Sequence, residues 1–184
     1  VLEQAGGLTA TAFPYGTRLE RLSVRLQQRA GFKEAVEQFE LALAATPLTS
    51  NGLNSEDQNR ALASAKAVIE RLRNAEPDGR LVLDVKPNAS SLPGQIVLEN
   101  SDRILVPPRP SAVGVFGAVF RPASFLINPG ERLMVGDYLR RAGGGLRSAD
   151  MRRMFVVRAN GDVLTRQTGA LEAPALPGDV IFIP

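Results

Sequence analysis

Neither cysteine nor histidine occurs in the 184 residues. Thiol nucleophiles, disulfides, thiolate metal centres, histidine-based triads and histidine-ligated zinc are thereby excluded. A cysteine-free chain suits either redox compartment. Tryptophan is also absent, and Tyr15 and Tyr138 are the only tyrosines. Saccharide pockets and sequence-tolerant single-strand grooves both stack their ligands on aromatic faces, so both a tight monosaccharide pocket and a nucleic-acid groove are poorly served. Lysine is limited to Lys33, Lys66 and Lys86 among 22 basic residues. No uncharged apolar run approaches the ~18 residues of a membrane-spanning helix. Val1-Leu2-Glu3-Gln4 has neither the basic nor the apolar region of a signal peptide. A leader is expected to be absent or removed, and the missing initiator methionine suggests a processed form or an excised piece.

What remains is 44% hydrophobic and 22% charged, a globular composition for one ordinary domain or two small ones. The net charge is +3, and it is unevenly spread. Residues 1–80 carry ten basic and ten acidic side chains, residues 81–184 twelve and nine. Between Arg140 and Arg166 seven arginines meet only Asp150 and Asp162, a local +5. The planar guanidinium makes bidentate contacts with carboxylate and phosphate. Arg140, Arg141, Arg147, Arg152, Arg153 and Arg158 are therefore candidate contacts for a polyanion, such as an acidic polysaccharide or a nucleic acid. The plainer reading is an arginine-rich coding bias and the solvated face of a small sheet domain.

Residues 18–43 have helical periodicity. Leu19, Leu22 and Leu26 form one stripe and Phe32, Val36, Phe39 and Leu43 a second, with a phase slip near Gly31 that predicts a kink or a change of packing partner. Pro47 and Asn51-Gly52 mark a loop, and Ser55-Glu56-Asp57-Gln58 fits a capping box. Leu62, Ala65, Ile69 and Leu72 give a second helix that ends before Pro77 and Gly79, so 18–77 read as an antiparallel helical hairpin. After Gly79 the texture turns to strands at Leu81–Val85, Ile96–Leu98, Ile104–Val106, Val113–Phe120 and Phe125–Ile127. A short helix over Val135–Ala142 stops at Gly143. Phe155–Arg158, Asn160-Gly161 and Val163–Thr165 form a hairpin with a type I′ turn, and Val180–Ile183 is the last strand.

Two segments recur in the same order. Ala5-Gly6-Gly7-Leu8 returns as Ala142-Gly143-Gly144-Gly145-Leu146, and Leu98–Pro107 returns as Ala175–Pro184, each with an aspartate (Asp102, Asp179) before an apolar strand that ends in proline. Paired matches in one order point to one unit used twice. Ala5 to Asp102 spans 97 positions and Ala142 to Asp179 spans 37, so the first unit holds 60 extra residues, the length of the helical hairpin. Val1–Ala5 aligns with the end of the second unit's helix, so the first unit is expected to be truncated at its start.

Two strands, a helix across the sheet and further strands follow a β-grasp-like order. Val113-Gly114-Val115-Phe116-Gly117-Ala118-Val119, Ala142-Gly143-Gly144, Ser148-Ala149-Asp150, Val156-Val157-Arg158-Ala159-Asn160-Gly161 and Leu176-Pro177-Gly178-Asp179-Val180-Ile181 resemble the soluble-ligand-binding β-grasp (SLBB) domains of bacterial polysaccharide export and capsule biosynthesis proteins. The resemblance extends over the whole chain. It departs at Ser101, where the family has glycine, and the family's export domain with its Pro-Glu-Ser motif and its lipidated cysteine have no counterpart in these residues. The resemblance implies an α+β fold of tandem β-grasp units. The first, 1–108, is partial and interrupted by the hairpin at 18–77; the second, 109–184, is complete. It also implies a periplasmic module, associated with the outer membrane in the full-length protein. Expected partners are further copies of the chain, a polysaccharide, and an inner-membrane polysaccharide co-polymerase or other export components.

No pair of carboxylates sits in a catalytic motif, so no enzyme, cofactor or metal is expected. Asp102 and Asp179 read as turn residues that accept backbone amides, with Gly6, Gly7, Gly143, Gly144 and Gly178 as helix stops and turn glycines. Gly143-Gly144-Gly145 follows a helix instead of opening one and lacks the Gly-Lys-Ser/Thr of a nucleotide loop. Two rivals stand beside the export module: a receptor for a discrete saccharide, and a basic nucleic-acid-binding module. The rarity of aromatics argues against the latter, so no nucleic-acid partner is expected.

Overall fold

The computed structural model describes residues 2, 4–45, 55–128 and 130–184. The expected loop at Pro47 and Asn51-Gly52 lies outside the described residues. So do the side chains of the capping box from Ser55 to Gln58 and those of Leu43, Leu62, Ala65 and Leu72. The fold is mixed α+β, with strands β1 (Arg18–Glu20), β2 (Arg80–Leu81), β3 (Arg103–Leu105), β4 (Ala112–Gly117), β5 (Ala123–Leu126), β6 (Phe155–Val157), β7 (Val163–Thr165) and β8 (Val180–Ile183). The helices are α1 (Leu22–Ala45), α2 (Ser55–Arg73) and α3 (Val135–Arg141). Among the described residues no helix is long and apolar enough to cross a membrane. The chain divides into a larger compact unit, Val1–Leu19, Val82–Leu98 and Ile104–Pro184, and a smaller one, Glu20–Leu81 and Glu99–Arg103.

The larger unit contains a five-stranded sheet of order β5-β4-β8-β6-β7. Its central pair, β4 and β8, is parallel, with Val115 opposite Ile181; β5, β6 and β7 join antiparallel. Alternation along the strands turns Val113, Val115, Val156, Ile181 and Ile183 to one face, where Val135, Tyr138, Leu139 and Ala142 of the α3 segment cover them. All nine are buried. Each such side chain contributes roughly 1.5–3 kcal/mol of burial when removed from water. Gly117 ends β4 earlier than the apolar run to Phe120 suggests. Its φ is +91°, and a Cβ there would lie 2.0 Å from the Ile183 carbonyl oxygen. The Asn160-Gly161 connection is also not the expected type I′ turn. Only Gly161 has positive φ, the Gly161 N–H donates to the Arg158 carbonyl, and the Asn160 side chain bonds Asp162. That is a type I turn closed by a left-handed glycine, in which the Asn160–Asp162 bonds hold Asn160 out of the left-handed region.

A second sheet has the order β2-β1-β3. The predicted helix from residue 18 begins at Leu22 instead, because Arg18–Glu20 is β1, whose buried Leu19 happened to fit the helical spacing. Helix α1 then runs unbroken through Gly31 to Ala45. The strand predicted over Leu81–Val85 shrinks to Arg80–Leu81, since its neighbour β1 is only three residues long. Ile96–Leu98 forms no strand, and Val97 is 82% exposed.

Candidate functional site

The two turn aspartates share one construction. Asp102 accepts the Glu99 N–H and Asp179 accepts the Leu176 N–H, each through Oδ2 at 2.8 Å. Each returns its own N–H to that same residue's carbonyl, at 3.2 and 3.0 Å. The preceding residue sits at positive φ in both, Ser101 at +71° and Gly178 at +83°. Ser101 is the one non-glycine residue with positive φ among the described residues. Each aspartate also faces an arginine that directly follows a strand, Arg21 after β1 and Arg158 after β6.

The correspondence extends beyond the turns. Gly6 and Gly7 have φ of +89° and +82°, Gly143 and Gly144 +84° and +79°. Gly7 N–H donates to Leu2 O at 2.8 Å, and Gly144 N–H to Leu139 O at 2.9 Å, the six-to-one bond of a helix stop. Phe13 N–H donates to Pro107 O and Asp150 N–H to Pro184 O, at 2.8 and 2.9 Å. These matched features relate Leu2, Gly6, Gly7, Phe13 and Arg21 to the positions 137 ahead, and Glu99, Ser101, Asp102 and Pro107 to those 77 ahead. The neighbour order β2-β1-β3 matches β7-β6-β8. The difference of 60 positions falls mainly between β1 and β2, where the helical hairpin stands in place of the short Arg158–Asp162 connection.

The two aspartates differ in electrostatics. Arg21 clasps Asp102 side-on, Nε to Oδ1 at 3.0 Å and Nη2 to Oδ2 at 2.8 Å, while its Nη1 meets Glu99 at 2.8 Å. The Arg21 guanidinium, helped by the Glu99 N–H, holds the Asp102 carboxyl below the usual range. Arg158 stands off from Asp179 at 3.5 Å and donates also to the Pro174 carbonyl. Asp179 is fully buried, and its Oδ1 has no hydrogen-bond partner. Burial pushes this carboxyl up to about 6, against the pull of the Leu176 N–H and Arg158. Arg158 also lines an open cleft of about 400 Å³ with Tyr15, Lys86, Asn160, Asp162 and Asp84. Two cations and two carboxylates leave this lining formally neutral. Burial raises the Tyr15 hydroxyl, with Arg158 pulling the other way.

The remaining candidate arginines are distributed over several elements. Arg140 pairs with Asp137 on α3. Arg141 reaches Glu131 at 3.3 Å and lies over the Tyr138 ring. Arg153 meets Asp150 at 3.4 Å. Arg147 and Arg152 are exposed and, among the described residues, form no ion pair. Of the six, Arg158 alone enters the cleft. Sequence reasoning singled out Arg158 but assigned it no acidic partner, and it missed Arg21 altogether. The signal was present: applied to Arg21, the offset of the Ala-Gly-Gly match lands on Arg158. Among the described residues no group of three acidic side chains could hold a metal ion. No protein-family model matches the sequence, and no curated protein matches it.

Proposed function

We propose that this chain is a non-enzymatic, periplasmic module of a bacterial polysaccharide export or capsule assembly protein. It is built from two β-grasp units of which the first carries the helical hairpin. The units act geometrically: rigid sheets stack within and between chains and position a secretion channel or its partners, including an inner-membrane co-polymerase. The observation that carries this reading is the recurrence of one hydrogen-bond pattern at fixed offsets, together with the β5-β4-β8-β6-β7 order whose central strands run parallel. Those features support a tandem β-grasp arrangement, and the sequence resemblance joins that arrangement to polysaccharide export. Deleting the gene in its own host tests it. Loss of surface polysaccharide without loss of its synthesis is the expected result; unaltered surface polymer overturns the reading.

A second reading, a receptor for a discrete saccharide, is favoured by the cleft at Arg158. Its neutral balance of charges beside a tyrosine suits hydroxyl groups better than a polyanion. Calorimetric titration with neutral and acidic oligosaccharides separates the two. Saturable binding that Asp162→Asn abolishes favours the receptor, whereas weak, salt-sensitive binding of acidic polymer favours the export module.

A further inference from the structure

The hairpin of the smaller unit leaves α1 largely uncovered. Among its described side chains only Val36 and Ile69 are buried, while Leu22, Leu26, Phe32, Phe39 and Leu41 are 41–71% exposed. An open groove of about 740 Å³ is lined by Leu26, Phe32 and Val36, with Arg29, Lys33 and Glu37 beside them. Apolar side chains gathered with charges in this way mark an interaction surface.

The order of charges on α1 identifies what fits there. Every base on the helix precedes every acid: Arg25, Arg29 and Lys33, then Glu34, Glu37 and Glu40. The helix has no acid in its first turn and no base in its last. This order runs against the helix dipole, so the stability of the isolated helix does not account for it. An antiparallel copy of the same helix does. It lays the basic half of each helix on the acidic half of the other, whereas a parallel copy sets base on base. With a two-fold axis at Lys33, Arg29 and Glu37 are each four residues from the axis and so face one another twice, two attractive pairs against the single like-charge meeting of the two Lys33 side chains at the axis.

We propose that α1 docks antiparallel on α1 of a second copy of this chain, covering Leu26 and Phe32 and pairing Arg29 of each copy with Glu37 of the other. The proposal is independent of the polysaccharide-export reading. Sedimentation equilibrium tests it, with a concentration-dependent dimer expected for the unmodified chain. Leu26→Glu/Phe32→Glu gives a monomer whose helix content, by far-UV circular dichroism, is unchanged. Arg29→Glu and Glu37→Arg each weaken association about tenfold, because each reversal makes two contacts repulsive. An equimolar mixture of those two variants recovers association as a heterodimer. A chain that stays monomeric from about 1 μM to about 1 mM overturns the proposal. A mixture that associates no better than either variant alone overturns it equally.

Discussion

The Asp102 turn and the Asp179 turn have the same backbone and opposite electrostatics. Both carboxylates accept the N–H three residues back, and both follow a residue in the left-handed region. Asp102 is clasped by Arg21 and held below the usual carboxylate range; Asp179 is buried, half-satisfied and pushed up to about 6. A turn motif therefore specifies geometry without specifying protonation. Protonation depends on how closely a guanidinium approaches and how much water is excluded, and neither is a property of the turn's four residues.

The largest test of this contrast is the pH dependence of stability. An unfolded aspartate releases its proton near pH 4, whereas folded Asp179 holds it to about 6. Between those values the folded state binds the extra proton, so the Asp179 contribution is present at low pH and is lost as pH rises through about 6. The loss approaches about 3 kcal/mol. Asp179→Asn is expected to flatten that part of the profile in chemical denaturation between pH 4 and 7. A slope that survives the substitution would assign it to another group.

Exchanging the residues before the aspartates gives the next largest effects. Gly178→Ser, which copies the first turn, is expected to cost about 1–3 kcal/mol. The new Cβ meets Pro110 at 2.9 Å, and the φ of +83° strains any side chain. The reciprocal Ser101→Gly removes such strain and is expected to stabilise by about 1 kcal/mol. Thermal melts of both variants would sharpen the equivalence, and effects of the same sign in both turns would break it. The smallest effect is expected for Asp102→Asn, because Arg21 keeps Glu99 as a partner. Asp102 contributes stability above the unfolded pKa and loses it as pH falls through the lowered folded value, the reverse of Asp179. The variant should therefore lose less stability on acidification than the parent chain does below pH 4.

Much of the larger unit was legible in the order of residues. The short helix over Val135–Arg141, its glycine stop and the final apolar strand lie close to where periodicity places them. The Asp102 and Asp179 turns, the Gly143 helix stop and the left-handed glycines at Gly6 and Gly7 were legible as well. Their hydrogen bonds span three to five residues, so the residues that make them stand together in the chain. The β1 segment was not legible. Leu19, Leu22 and Leu26 satisfy a helical period, yet Leu19 is buried in a strand and the other two are exposed. Three residues are too few for period alone to separate the two conformations.

Local hydrogen bonding, turn chirality and apolar periodicity are written along the chain, because each depends on residues a few positions apart. They set the Gly143 helix stop, the two aspartate turns and the strands that find partners. The clasp of Arg21 on Asp102 joins residues 81 positions apart. The looser approach of Arg158 to Asp179, the unsatisfied oxygen behind it and the length of each strand likewise depend on what packs alongside. Those features arose only on folding, because desolvation and ion pairing act through space and take their size from the surroundings that the whole chain builds.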